Sequence, residues 1–243
     1  MSAPDAWRLL RQATQARVGL GRAGDALPTA EILRLDAAHA LARDAVHSPL
    51  DVDTLAAHLQ EASGLDVVRV ASEAADRAEY LQRPDLGRRL AEDTELDAGP
   101  DGWDLAVVVA DGLSARAVQS HAAGLLAALL PRLAGWAVAP PVVATQARVA
   151  LGDDVGARLG AAMVLVLVGE RPGMSAPDSL GAYLTWGPRA GLVDSERNCV
   201  SNIRPPHGLS YDHAAEVLAA LLTESRRRGL SGVELKDTGA ALG

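Results

Sequence analysis

The apolar positions of this chain change period along its length. Leu105 to Ala110 and Met163 to Val168 are unbroken runs of Val, Leu and Ala with a single Met, as expected of strands hidden on both faces. Val142 to Ala144 and Ala182 to Trp186 give shorter strand patterns. Between them Ser114 caps a helix predicted through Leu133, and a second helix is predicted near Asp153 to Leu159. Tyr211 to Arg228 reads as a long last helix that ends in an Arg run before Gly229. Strand and helix alternate, so the expected fold class is α/β, with a Rossmann-like doubly wound, mostly parallel sheet.

The first 62 residues read differently. Trp7, Leu9, Leu10, Ala13 and Val18 recur at helical spacing from Pro4 to Val18, and the glycines from Gly19 to Gly24 stop the pattern. Pro28 and Thr29 open a second helix with Ile32, Leu35, Ala38, Ala42 and Val46 facing inward, halted at His47-Ser48-Pro49. A third runs from Asp51 to about Ala62. Such Ala-rich helices bury little alone, so residues 1–62 are expected to be a helical domain or arm packed on something else, with another chain as a candidate. Residues 63–243 form the α/β domain. It begins with a short strand over Val67, Val68 and Val70, then helical stretches from Glu73 to Gln82 and Asp85 to Asp93 split by Pro84, then a polar break from Thr94 to Gly102.

Composition narrows the function. With 243 residues, 49% hydrophobic and 22% charged, the chain can bury a sizeable core. Its longest apolar run, Ala161 to Val168, is far shorter than the ~20 residues of a membrane helix, and the N-terminus does not resemble a signal peptide; the cytoplasm is expected. A net charge of −8 argues against a general nucleic-acid binder, and 3% aromatics without any Phe argues against base stacking. Lys236 is the only lysine and sits in neither a phosphate loop nor a Schiff-base setting. Cys199 is the only cysteine, which forbids an intrachain disulfide and any site of several thiolates.

Several motifs suggest chemistry. Gly19-Leu20-Gly21-Arg22-Ala23-Gly24 spells a dinucleotide fingerprint, but it follows a helix rather than a strand, so a helix-stopping turn is expected. Asp111-Gly112-Leu113-Ser114 leaves a buried strand at the sheet edge where such folds bind ligands, and it either caps the helix alone or also cradles a ligand. Glu170 follows the apolar strand directly. It is either an acceptor for ligand hydroxyls and amides or a structural acceptor, through a pair with Arg171 or bonds from loop amides. Val149 precedes a helix start and by pattern alone is an ordinary core residue. Cys199 lies among polar neighbours from Glu196 to Pro205, where Gly and Pro nearby suggest irregular backbone; it is either a small buried hydrophobe or a site residue. The six histidines show no metal-ligand spacing, and His121 reads as a helix-face residue, so no metal site is expected.

Taken in order, Leu20–Gly24, Leu27–Glu31, Asp44–His47, Arg83–Leu90, Asp111–Ala115, Arg148–Asp154, Gly169–Gly173, Pro177–Gly181 and Glu196–Pro205 resemble the small-subunit family of ethanolamine ammonia-lyase over nearly the whole chain. The resemblance implies an adenosylcobalamin-dependent radical lyase that converts ethanolamine to acetaldehyde and ammonia. The catalytic groups would lie on a TIM-barrel large subunit, with a hexamer of large–small pairs as the assembly. It also implies that Val149, Glu170 and Cys199 contact the cofactor. The chain has no Asp-x-His-x-x-Gly motif, in keeping with a family that keeps dimethylbenzimidazole on cobalt. Some members carry a longer N-terminal extension directing them to a microcompartment; the early first helix here points to free cytoplasm. Two alternatives remain: a non-catalytic cobalamin-binding or assembly subunit, and a stand-alone Rossmann-type enzyme with a nucleotide cofactor.

Overall fold

Residues 105–110 are completely buried, as expected of a strand covered on both faces. The computed structural model describes residues 6–99 and 102–235; Lys236 and Pro4 lie outside the described residues. The chain opens with α1 (Ala6–Ala13), α2 (Thr29–His47) and α3 (Val52–Ser63), followed by β1 (Val68–Ala71) and α4 (Arg77–Gln82). Then come β2 (Trp103–Ala110), α5 (Ala115–Leu129), β3 (Val142–Thr145), α6 (Leu151–Leu159) and β4 (Ala161–Gly169). The last elements are β5 (Leu180–Trp186), β6 (Arg197–Ile203) and α7 (Tyr211–Arg228). The six strands form one sheet in the order β1-β3-β2-β4-β5-β6.

The strand pleat separates two cores. Leu105, Val107 and Val109 of β2 and Met163, Leu165 and Leu167 of β4 pack against Leu55 and Leu59 of α3, Leu125 and Leu129 of α5, and Leu218 and Leu222 of α7. The alternate residues Ala106, Val108, Val164 and Val166 pack against Leu151, Val155 and Leu159 of α6. Each such buried side chain contributes about 1.5–3 kcal/mol, so the two faces together supply the principal driving force for folding. Helix ends follow local chemistry. Ser114 accepts the Ala117 amide at 3.2 Å, Asp51 accepts the Thr54 amide at 3.1 Å, and Ser210 accepts the His213 amide at 3.3 Å.

The expectation of a doubly wound, mostly parallel sheet is met only in part. β1, β3, β2 and β4 run parallel, but β5 is antiparallel to both β4 and β6, which makes the sheet mixed. The cause is connection length: residues 170–179 join β4 to β5 without a helix, and a parallel return needs a crossover of roughly a dozen residues or more. The segment from Glu196 to Pro205, expected as irregular backbone, contains the regular edge strand β6. The helix expected from Asp85 to Asp93 is only a 3-10 turn at Leu86–Arg88, and Leu90 instead bridges Ser72 and donates its amide to Asp154 at 3.1 Å. On α2, Ala42 is buried as expected, but Ile32 is 41% exposed. Gly19, Gly21 and Gly24 take positive φ in a turn between α1 and α2, as the failed fingerprint context predicts.

One buried ion pair fixes β6. Arg197 donates to both carboxylate oxygens of Asp153 on α6, at 2.7 and 2.6 Å, and to Thr185 Oγ1 at 2.8 Å, with both side chains at most 3% exposed. Removing one partner strands a charge in a dry interior. Asp153→Asn or Arg197→Met should therefore cost about 3–5 kcal/mol in urea unfolding. Replacing both with apolar residues of similar volume should cost clearly less than either single change; an additive loss would contradict this account.

Candidate functional site

The carboxyl ends of β2 and β4 are held together by two glycines. Gly112, with φ +56°, approaches so closely that an added Cβ would sit 2.3 Å from the Gly169 carbonyl oxygen, and one on Gly169 would sit 2.0 Å from that of Ser114. Leu113 donates its amide to Gly169 at 2.9 Å, closing the junction. Beside it opens a cavity of about 400 Å³ lined by Gly112, Leu113, Arg148, Val149, Glu170 and Tyr183, with Tyr80, Val168, Gly169 and Arg171 completing its wall. A cleft outside the carboxyl ends of the strands is where open α/β sheets bind ligands.

Asp111 positions the loop that carries Arg148 and Val149. Its buried carboxylate accepts the amides of Gln146 and Ala147 at 3.0 and 2.9 Å and a bond from Arg77 at 2.9 Å. Burial pushes the Asp111 carboxyl above its ordinary value, opposed by the Arg77 charge and these amides. The constraint holds Gln146 at φ +50°, a conformation few non-glycine residues adopt. Tyr80 stands behind the loop with its hydroxyl donating to the Ala147 carbonyl at 3.2 Å.

Glu170 joins three strands. Its oxygens accept the hydroxyls of Ser179 and Ser201 and the Asn202 amide, the last at 3.3 Å, while its own amide donates to the Ser179 carbonyl at 2.9 Å. A β-bulge makes this reach possible. Val200 opposes Ala182 and Ile203 opposes Leu180, so β6 spends an extra residue there, with Asn202 at φ +61°. The extra residue turns Ser201 and Asn202 onto Glu170. A carboxylate offers about four lone-pair sites, and three donors leave capacity for a ligand hydrogen.

The sequence-predicted residues divide. Val149 and Glu170 line the same cavity. Cys199 does not line it; it sits exposed on β6, directly opposite Tyr183, which does. Partial burial of the sulfur pushes the thiol up, and the Glu170 charge adds to that, while the neighbouring Tyr183 hydroxyl opposes it. Glu170 serves as a structural acceptor for an amide and two hydroxyls, and no bond to Arg171 is found among the described residues. His121 is buried on α5, with Nδ1 2.8 Å from the Tyr211 hydroxyl, and burial lowers its pKa. No group of three or more potential metal ligands occurs among the described residues. Sequence reading did not single out Tyr80, Tyr183, Ser179 or Ser201. Two of these are among only three tyrosines in the chain, which was the one signal available.

Comparison with known proteins places this arrangement in context. Residues 4–236 match the family described as "Ethanolamine ammonia-lyase light chain (EutC)". The ethanolamine ammonia-lyase small subunit of Rhodococcus erythropolis is 50% identical over 238 residues, covering 98% of this chain and 92% of the relative. The small subunits of Azotobacter vinelandii and Ralstonia nicotianae are 54% and 53% identical, each covering 95% of this chain and 88% of the relative.

With a pKa above its ordinary 9.0, the Cys199 thiol is almost entirely protonated near neutrality. Alkylation by iodoacetamide, followed by mass spectrometry, should be slower at pH 7.5 than that of a free cysteine and should still be rising at pH 9. Glu170→Gln should speed it by removing the like charge. A rate that levels off below pH 8 would contradict the upward shift.

Proposed function

Because the chain belongs to the ethanolamine ammonia-lyase light-chain family, we propose that it forms one wall of an adenosylcobalamin site whose other wall is the large subunit. The reaction served is the conversion of ethanolamine to acetaldehyde and ammonia. The observation that carries this reading is the convergence of Val149 and Glu170 on one open cavity at the sheet's carboxyl edge, with Cys199 one strand away.

The residues suit a large amphipathic ligand. Val149 offers an apolar contact for a ring edge, Glu170 has acceptor capacity for amide or hydroxyl hydrogens, and Cys199 with Tyr183 extends the surface along β5 and β6. A cavity of about 400 Å³ falls in the roughly 300–1,000 Å³ range that encloses drug-sized ligands, and a corrinoid is larger than those. This wall would hold one edge of the cofactor and leave the rest to a partner. When bound, adenosylcobalamin supplies the radical chemistry that begins ammonia elimination. This chain's share is to bind and orient that edge and to keep water from it. The Glu170 network performs the orienting, since its serine and amide donors fix the carboxylate before any ligand arrives.

The N-terminal helices support a partnered subunit. Trp7, Leu9 and Leu10 of α1 and Leu33 and Leu41 of α2 are each more than half exposed, which suits α1 and α2 to an arm held by another chain, whereas α3 packs Leu55 and Leu59 into the core of the sheet. The parallel strands β1, β3, β2 and β4, with helices on both faces, support a Rossmann-like reading of the remainder.

Glu170→Gln and Glu170→Ala should leave the two subunits co-purifying and weaken adenosylcobalamin binding about 10-fold or more, as expected for loss of a charge-assisted hydrogen bond. Equilibrium dialysis of the assembled complex measures this. Unchanged affinity in both variants would remove Glu170 from the contact.

A further inference from the structure

The cavity wall contains more positive charge than the protein itself uses. Arg148 donates its backbone amide to the Gly87 carbonyl at 2.7 Å, and its guanidinium carbon lies 4.8 Å from the centroid of the Tyr80 ring. Its Nε is enclosed by protein and has no hydrogen-bond partner. Arg77 and Arg197 each keep one such nitrogen too, so what sets Arg148 apart is that no side-chain hydrogen bond or ion pair to its guanidinium occurs among the described residues; a sheltered guanidinium without any acceptor is costly and often marks a ligand or a water. Arg171, on the same wall, is exposed. Neither arginine has a carboxylate partner among the described residues. Other sheltered arginines are committed: Arg77 to Asp111, Arg197 to Asp153, and Arg204 to Asn202 and Gln15. Glu170, the one carboxylate on the wall, is bonded to Ser179, Ser201 and Asn202 instead of to either guanidinium.

We infer that Arg148 and Arg171 form an anion clasp that holds the phosphodiester of a corrinoid's nucleotide tail. The inference rests on the corrinoid reading above and adds the group that these two residues recognise. The planar guanidinium fork matches phosphate oxygens in geometry and charge. On a cobalamin the corrin side chains end in neutral amides, which need no cation, and the phosphodiester carries the fixed negative charge. The clasp also fits the order of residues. Arg148 precedes Val149 and Arg171 follows Glu170, so each cation sits one residue from a proposed corrinoid contact. Stacking on Tyr80 and the Gly87 bond fix Arg148 in advance, which lowers the entropy lost on binding.

The test compares adenosylcobalamin with adenosylcobinamide, which lacks the nucleotide tail and its phosphate. Both are titrated by absorbance into the assembled complex with wild-type, Arg148→Gln or Arg171→Gln small subunit. The wild type should prefer the cobalamin, and each variant should lose about 10- to 100-fold in cobalamin affinity with cobinamide affinity unchanged. Arg171 is exposed, so its variant tests the clasp without endangering the fold. Three results would overturn the inference: equal wild-type affinity for both ligands, variants that bind cobalamin as the wild type does, or parallel losses for both ligands. A wild-type complex that binds neither corrinoid would instead sink the cofactor reading, and the clasp with it.

Discussion

Burying a carboxylate at the end of a central strand imposes the constraint from which the working end of this protein follows. Asp111 is removed from water at a cost of several kcal/mol unless its oxygens are satisfied, and the chain satisfies them with three donors from two directions. Arg77, at the start of α4, supplies the charge and also donates to the carbonyls of Val46 on α2 and Gly112 at the β2 exit. The amides of Gln146 and Ala147 arrive from the exit of β3. One buried charge therefore ties an N-terminal helix, a short connecting helix and two strand exits to a single point. The cavity wall carrying Arg148 and Val149 inherits its position from that knot.

The opposite wall is organised by a second carboxylate with a different balance. Glu170 is held by hydroxyls and one amide instead of a guanidinium, so it keeps acceptor capacity that an ion pair would consume. The wall between the two is open, in keeping with the proposed role of covering one side of a ligand that a companion would enclose. Family membership and this openness point the same way, although they rest on independent observations.

What the sequence made legible was whatever short-range physics decides. The runs at Leu105–Ala110 and Met163–Val168 are strands buried on both sides as expected, and the expected span Tyr211 to Arg228, stopped at Gly229, matches α7 to the residue. Strand direction was not legible, because it depends on whether a connection has room for a crossover helix. β6 was hidden by its own composition. Arg197, Cys199 and Ser201 make one face polar, and nothing nearby reveals that Arg197 is buried by a carboxylate 44 residues earlier in the chain. At the site, Glu170 stood out by its position after an apolar strand and Cys199 by its polar neighbours, whereas Val149 was raised above an ordinary packing residue only by resemblance. Tyr80 reaches the cavity through tertiary packing, to which periodicity is blind.

The anchoring of β6 has an evolutionary corollary. In most hairpins the loop dictates which residues face which side, so a single insertion inverts the strand. Here the Arg197 side chain is clamped to α6, and the Gly187-to-Glu196 connection is freed from that duty. Insertions or deletions placed in this segment are then expected to leave the serine and the bulge beneath Glu170 in their orientation.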